Sequence, residues 1–84
     1  MNSKFAKAYA ELERIGAPIF TNSDNDRLGN FSISGEDNSD VTWASYYDSG
    51  YGVFGVNPRI DAILTKHGLF CEWANPGKLN VYVI

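Results

Sequence analysis

The residues that decide the fold are Asn57-Pro58-Arg59-Ile60-Asp61-Ala62-Ile63-Leu64-Thr65-Lys66-His67-Gly68, followed by Leu69-Phe70-Cys71-Glu72-Trp73-Ala74-Asn75-Pro76-Gly77-Lys78-Leu79-Asn80-Val81-Tyr82-Val83-Ile84. Asn57 is a good N-cap and Pro58 suits the first helical position. Ile60, Ile63, Leu64 and His67 fall at i, i+3, i+4 and i+7, which predicts a helix with one core face. Gly68 supplies the left-handed residue that stops it. Two strands follow, Leu69 to Ala74 and Leu79 to Ile84. Between them Asn75-Pro76-Gly77-Lys78 fits a type II turn, with Pro at i+1 and Gly at i+2. Leu79, Val81 and Val83 alternate with Asn80, Tyr82 and Ile84, so the hairpin has one apolar face for the helix to cover. The apolar end at Ile84 implies a terminus tied into the sheet.

Working back toward the N-terminus, Phe5, Tyr9, Leu12 and Ile15 draw an apolar stripe that predicts a helix over 3–15, with Ser3 as its cap and Gly16 and Pro18 as its stop. Residues 17–20 read as a short strand. Residues 21–29 (TNSDNDRLG) have turn chemistry throughout. Residues 30–34 read as a half-buried strand with Phe31 and Ile33 on the core side. Residues 35–40 form another polar turn. Residues 41–47 have strand composition, with Val41, Trp43 and Tyr47 opposite Thr42, Ala44 and Tyr46. Asp48-Ser49-Gly50 makes a turn, and 52–56 a short strand or connector. The order α-β-β-β-(β)-α-β-β predicts an α+β domain spanning 1–84. Its antiparallel sheet has four to five strands, with two helices on one face.

The chain has 84 residues, 44% hydrophobic and 14% aromatic, enough apolar mass to pack one small core. No stretch approaches the roughly 20 apolar residues that span a bilayer, and the N-terminus lacks the apolar region of a signal peptide. The lone cysteine, Cys71, excludes an internal disulfide framework and favours a reducing, cytoplasmic compartment.

The motifs that suggest chemistry fail on context. Gly50-Tyr51-Gly52-Val53-Phe54-Gly55 matches G-x-G-x-x-G, yet the helix begins only at Asn57-Pro58 and Val53-Phe54 reads as core, so a Gly-rich bend is preferred to a dinucleotide site. Asn22, Asp24 and Asp26 imitate the start of a calcium loop, but Arg27 and Ile33 stand where Gly and Glu are needed. His67 and Cys71 are the only conventional nucleophile–base pair. Cys71 lies mid-strand between apolar neighbours and His67 in the last turn of a helix, so structural roles are preferred. One His and one Cys do not make a zinc site. Asn30-Phe31-Ser32 is formally a glycosylation sequon, expected to have no consequence because no secretory signal is read. No metal, cofactor or catalytic residue is assigned.

Charge and aromatic content are more informative. Residues 21–56 carry Asp24, Asp26, Glu36, Asp37, Asp40 and Asp48 against Arg27 alone, within a chain of net charge -3. An acidic block weighs against phosphate backbones as partners and favours a basic protein. The plainer alternative is turn chemistry that keeps the protein soluble. Trp43, Tyr46, Tyr47, Tyr51 and Phe54 cluster in the same region, and Tyr and Trp are enriched at interface hot spots. Adjacent Tyr46 and Tyr47 would point to opposite faces of a strand, leaving one exposed.

The pattern Asn57-Pro58-x-Ile60-x-x-Ile63-Leu64-x-Lys66-His67-Gly68-Leu69-Phe70-x-Glu72-Trp73-x-Asn75-Pro76-Gly77-x-Leu79-x-Val81-Tyr82 resembles one seen in small phage- and prophage-encoded proteins of unassigned role. Most of its positions are caps, turns and core. In general type (short, acidic, no visible active site) the chain resembles anti-CRISPR proteins, which share no common motif, so no functional residue carries over. The resemblance implies a non-catalytic inhibitor in the bacterial host cytoplasm, a monomer or small homo-oligomer, that binds the DNA-gripping surface of a CRISPR effector. It would do so as a DNA mimic, through an acidic band. Asp24, Asp26, Glu36, Asp37, Asp40 and Asp48 would then supply the phosphate-like charge, and Tyr46, Tyr47 and Tyr51 the short-range anchors. The alternative is a small nucleic-acid-binding regulator using Lys4, Lys7 and Arg14 of the first helix.

Overall fold

A computed structural model describes residues 1–38, 40–48 and 50–84. Seven elements follow one another: α1 (Ser3–Arg14), β1 (Ile19–Phe20), α2 (Ser23–Leu28), β2 (Ser32–Ser34), α3 (Pro58–Lys66), β3 (Leu69–Asn75) and β4 (Lys78–Val83). The class is α+β, with one antiparallel four-stranded sheet in the order β1-β2-β4-β3.

Residues paired across an antiparallel sheet share a face. Ile33 pairs with Leu79, Trp73 with Leu79, Cys71 with Val81 and Leu69 with Val83. On this face Ile33, Leu69, Leu79 and Val81 are fully buried, together with Phe31, Leu12 of α1 and Ile60 and Leu64 of α3. The two amphipathic helices therefore share the core face, as their stripes require. Asn57 caps α3 with its side chain on the Arg59 N–H, and Gly16 and Gly68 take the positive φ expected of them. Phe5 and Tyr9 both set their rings edge-on to Phe31.

Several details depart from the sequence reading. Asn2, not Ser3, caps α1, accepting from the Phe5 N–H. Residues 21–29 are not all turn. Asn22 and Asn25 form a reciprocal capping box that nucleates α2, which Gly29 ends at φ 73°. Strand β2 is not half-buried, because Ser32, on the far side from Ile33, is also fully buried. Its cover is α2. Asn25 donates through Nδ2 to Asn30 Oδ1 at 3.0 Å and to Ser32 Oγ at 3.1 Å. Asn30 Nδ2 reaches the Val81 C=O at 3.0 Å, and Ser32 Oγ donates to Asn80 Oδ1 at 2.6 Å. Among the described residues no buried side-chain polar atom lacks a partner. The hairpin turn is not type II, since Gly77 lacks a positive φ. Asn75 Oδ1 instead accepts the Gly77 N–H at 2.9 Å, an Asx turn.

The largest departure is in residues 41–56, whose described residues form no regular strand. Among the described residues the ladder contacts of this segment are isolated bridges, Ala44 with Val56 and Val53 with Val56. Side chains hold the segment instead. Asn38 accepts the Trp43 N–H at 2.7 Å and donates to the Ala44 C=O at 2.8 Å. Asn57 Nδ2 and the Tyr51 hydroxyl both donate to the Thr42 C=O, at 3.0 and 2.7 Å. Trp43, Ala44 and Val56 are thereby anchored in the core, with Arg59 over the Trp43 ring at 5.6 Å. Ser49, part of an expected turn, lies outside the described residues.

Candidate functional site

Val53 and Val56 exchange backbone hydrogen bonds, 3.2 Å from Val53 N–H and 3.1 Å from Val56 N–H, closing a two-residue turn on Phe54 and Gly55. Both central residues have positive φ, 53° and 82°, the signature of a type I′ turn. Gly55 is suited to its place. A bulky phenylalanine at positive φ is an outlier, and such strain concentrates where a side chain is presented for a purpose. The Phe54 ring gains no burial from it. Phe54 is 80% exposed and neighbouring Val53 47%, which reverses the expectation that both are core.

The turn is held by Trp73 of β3, whose indole Nε1 donates to the Phe54 C=O at 2.8 Å. Tyr46 sets its ring edge-on to Trp73 with centroids 5.3 Å apart, and Tyr47 does the same to Tyr46 at 5.2 Å. Tyr46 and Tyr47 do not alternate across a strand. They sit on a turn and extend one aromatic row outward from Trp73, and Tyr47 at its end is 87% exposed. Tyr51 is turned into the loop, its hydroxyl occupied by Thr42.

Carboxylates border this row. Any side chain at Gly35 would run into the Trp73 ring, and the Glu36 carboxylate lies against Gly77 of the hairpin turn. Asp48 follows Tyr47 directly, and Asp40 is exposed in the loop after Asn38. The acidic residues do not form one band. Asp24 and Asp26 ride on α2, across the sheet from the core face, and Asp24 pairs with Arg27 at 3.6 Å. Glu36 and Asp37 follow Gly35, which abuts Trp73, and Asp48 follows Tyr47, so these three carboxylates are joined in the chain to residues of the row.

A cleft of about 270 Å³ opens beside the turn, lined by Val53, Phe54, Val56, Asp61, Cys71 and Trp73. Desolvation by burial, aided by the Asp61 charge, pushes the Cys71 thiol up to about 12. A nucleophile needs the reverse shift. His67 is engaged elsewhere, with Nε2 3.2 Å from Glu11 Oε1, beside the 2.7 Å Lys66–Glu11 ion pair. Lys66 foremost, and then His67, hold the Glu11 carboxyl below its ordinary value. Among the described residues no group of His, Cys, Asp and Glu could hold a metal ion. No described helix is long and apolar enough to cross a membrane. Lys4, Lys7 and Arg14 are exposed on α1, which also carries Glu11 and Glu13.

Sequence signals for the site were present but scattered. The sequence places Trp73 in the hairpin, and nothing local says that its indole holds a turn nineteen residues upstream. No protein-family model matches the chain, and neither a curated protein nor a solved structure does.

Proposed function

We propose that this chain is a non-catalytic docking module that binds a basic protein surface through the Phe54 turn and the Trp73–Tyr46–Tyr47 row. Glu36, Asp37 and Asp48 steer the approach. The observation that carries the reading is Phe54, a bulky residue held at φ 53° with its ring left in water. Backbone strain combined with exposure is destabilising for the free chain and useful once the ring enters a partner's pocket. Bordering carboxylates would accelerate encounter with a cationic surface and make the complex salt-sensitive. The kind of partner implied by the resemblance to anti-CRISPR proteins, the DNA-gripping surface of a CRISPR effector in a bacterial cytoplasm, has this chemistry.

The test is capture from bacterial lysate by the tagged chain, compared among variants. The same protein should be retained at low salt and released at high salt. It should be lost with Tyr46→Ala/Tyr47→Ala and with Glu36→Lys/Asp37→Lys, and kept with Asp24→Lys/Asp26→Lys, which alters α2 on the other side of the sheet. Equal loss in all three variants would reduce the carboxylates to a net-charge effect and overturn the reading.

A further inference from the structure

We propose that the outer edge of β3 takes an extended, basic segment of the partner as an added strand, one side chain of which enters the cleft. This rests on the docking reading above and says how the partner is held. The Ile84 N–H donates to the Gly68 C=O at 3.0 Å, and the next pair is Leu69 with Val83. Backbone direction alternates along an antiparallel pair. Gly68, Phe70 and Glu72 therefore turn their N–H and C=O groups toward β4, and Leu69, Cys71 and Trp73 turn theirs away. Val81 donating across to Phe31, on the opposite side of β4, fits the same phase. Among the described residues none of these outward groups has a partner on another residue. Leu69 is fully buried, which leaves Cys71 and Trp73 as the usable edge.

Those two residues form one wall of the cleft, and the 53–56 turn and Asp61 of α3 face them. The space therefore opens beside the free edge of β3 and is lined chiefly by apolar side chains, Leu79 of β4 among them. That is the complement of a peptide strand, where main-chain hydrogen bonds give affinity and alternate side chains give specificity. At about 270 Å³ it is smaller than most small-ligand pockets, about 300–1,000 Å³. The charge selects the strand. Asp61 and Glu72 both border the cleft, Glu72 being exposed with its side chain turned to the reverse face of β3 by strand alternation, and no lysine or arginine lines the space. An added strand with apolar residues toward the cleft would carry its alternate residues beside Glu72, where a cation is favoured. A second copy of this chain fits less well, because self-pairing centred on β3 would set two Glu72 carboxylates opposite each other.

The experiment uses the full chain, labelled with nitrogen-15, and measures amide exchange and resonance shifts. The probe is acetyl-Arg-Val-Arg-Val-Arg-amide. One control is the same peptide N-methylated at both valines, which keeps side chains and charge but cannot donate to an edge; another has Glu for Arg. The Arg peptide should slow Cys71 and Trp73 amide exchange and shift the Trp73 indole, and both effects should be lost with either control. Equal effects from the N-methylated peptide would overturn strand addition. So would slow, concentration-dependent exchange at Cys71 and Trp73 without peptide, which would assign the edge to a second copy. Shifts confined to Tyr46, Tyr47 and Glu36 would also overturn it while leaving the docking reading intact. Edge protection in a chain whose lysate capture ignores Tyr46→Ala/Tyr47→Ala would support strand addition and sink the docking face.

Discussion

Replacing Phe54 by asparagine separates what the turn costs from what it is for. Holding an L-residue in the left-handed region costs roughly 1–2 kcal/mol, and asparagine escapes most of that. Against this stands the contact that the ring makes. Phe54 is 80% exposed, so about one-fifth of its surface is covered. For a ring of roughly 200 Å² that is about 40 Å², worth about 1 kcal/mol at ~25 cal/mol per Å². The two terms leave Phe54→Asn between neutral and about 1 kcal/mol more stable. In a domain of this size that is a rise in Tm of up to about 8 °C. Truncating the buried Phe31 ring, by contrast, should cost about 3–5 kcal/mol. Urea unfolding measures both, with a midpoint change at constant slope taken as stability. Partner capture by Phe54→Asn should fall while stability holds. A loss of stability beyond about 1 kcal/mol would mean that the ring is a structural plug, and the inference from strain to presentation would fail.

Three further outcomes follow from the polar interior and the two perturbed groups. Asn25→Ala removes half of a capping box and leaves Asn30 Oδ1 without its donor, so urea unfolding should show a loss of about 2–4 kcal/mol; an effect under about 0.5 kcal/mol would mean that water replaces the side chain. Glu11 has a folded pKa below its ordinary value of 4.5, set first by Lys66 and then by His67. Its stabilising contribution is therefore present above that value and lost as pH falls through the lowered one. The stability difference between the native chain and Glu11→Gln should shrink with acidification over that window. Cys71, with its thiol near 12, should react with iodoacetamide at mild alkaline pH on the order of a thousandfold more slowly than an ordinary thiol, and at the ordinary rate in urea. Rapid alkylation of the folded chain would place the thiol outside the buried environment described.

The residues that could be read from sequence are those whose periodicity coincides with their packing. Asn57-Pro58, the Ile60–Leu64 stripe, Gly68 and the alternation after Leu79 all act locally, and the structure follows them to within a residue or two. Helix α2 escaped because it has no apolar stripe. Its one buried residue is Asn25, and its stability comes from a polar cap and a polar cover over Ser32. Residues 41–47 alternate as a strand would, but Asn38 and Asn57, outside the segment, decide where its backbone bonds go. Part of the candidate site is legible in the sequence: Tyr46 and Tyr47 stand in the aromatic cluster, and Glu36, Asp37 and Asp48 in the acidic block around it. Their grouping is not, because it depends on Gly35 meeting Trp73 across the sheet and on Phe54 taking a φ that composition does not announce.

Strand β4 is hydrogen-bonded to β2 on one side and to β3 on the other. During synthesis it comes last of the four. Until residues 78–83 leave the ribosome, the β1–β2 pair is two short strands with nothing to extend it, and such pairs are marginal in water. Helices α1 and α3 must wait, with their apolar stripes uncovered, for a sheet that a single late segment completes. The acidic residues of the middle segment are translated before that moment. Net negative charge on a chain opposes its aggregation through an interval in which the core has no floor.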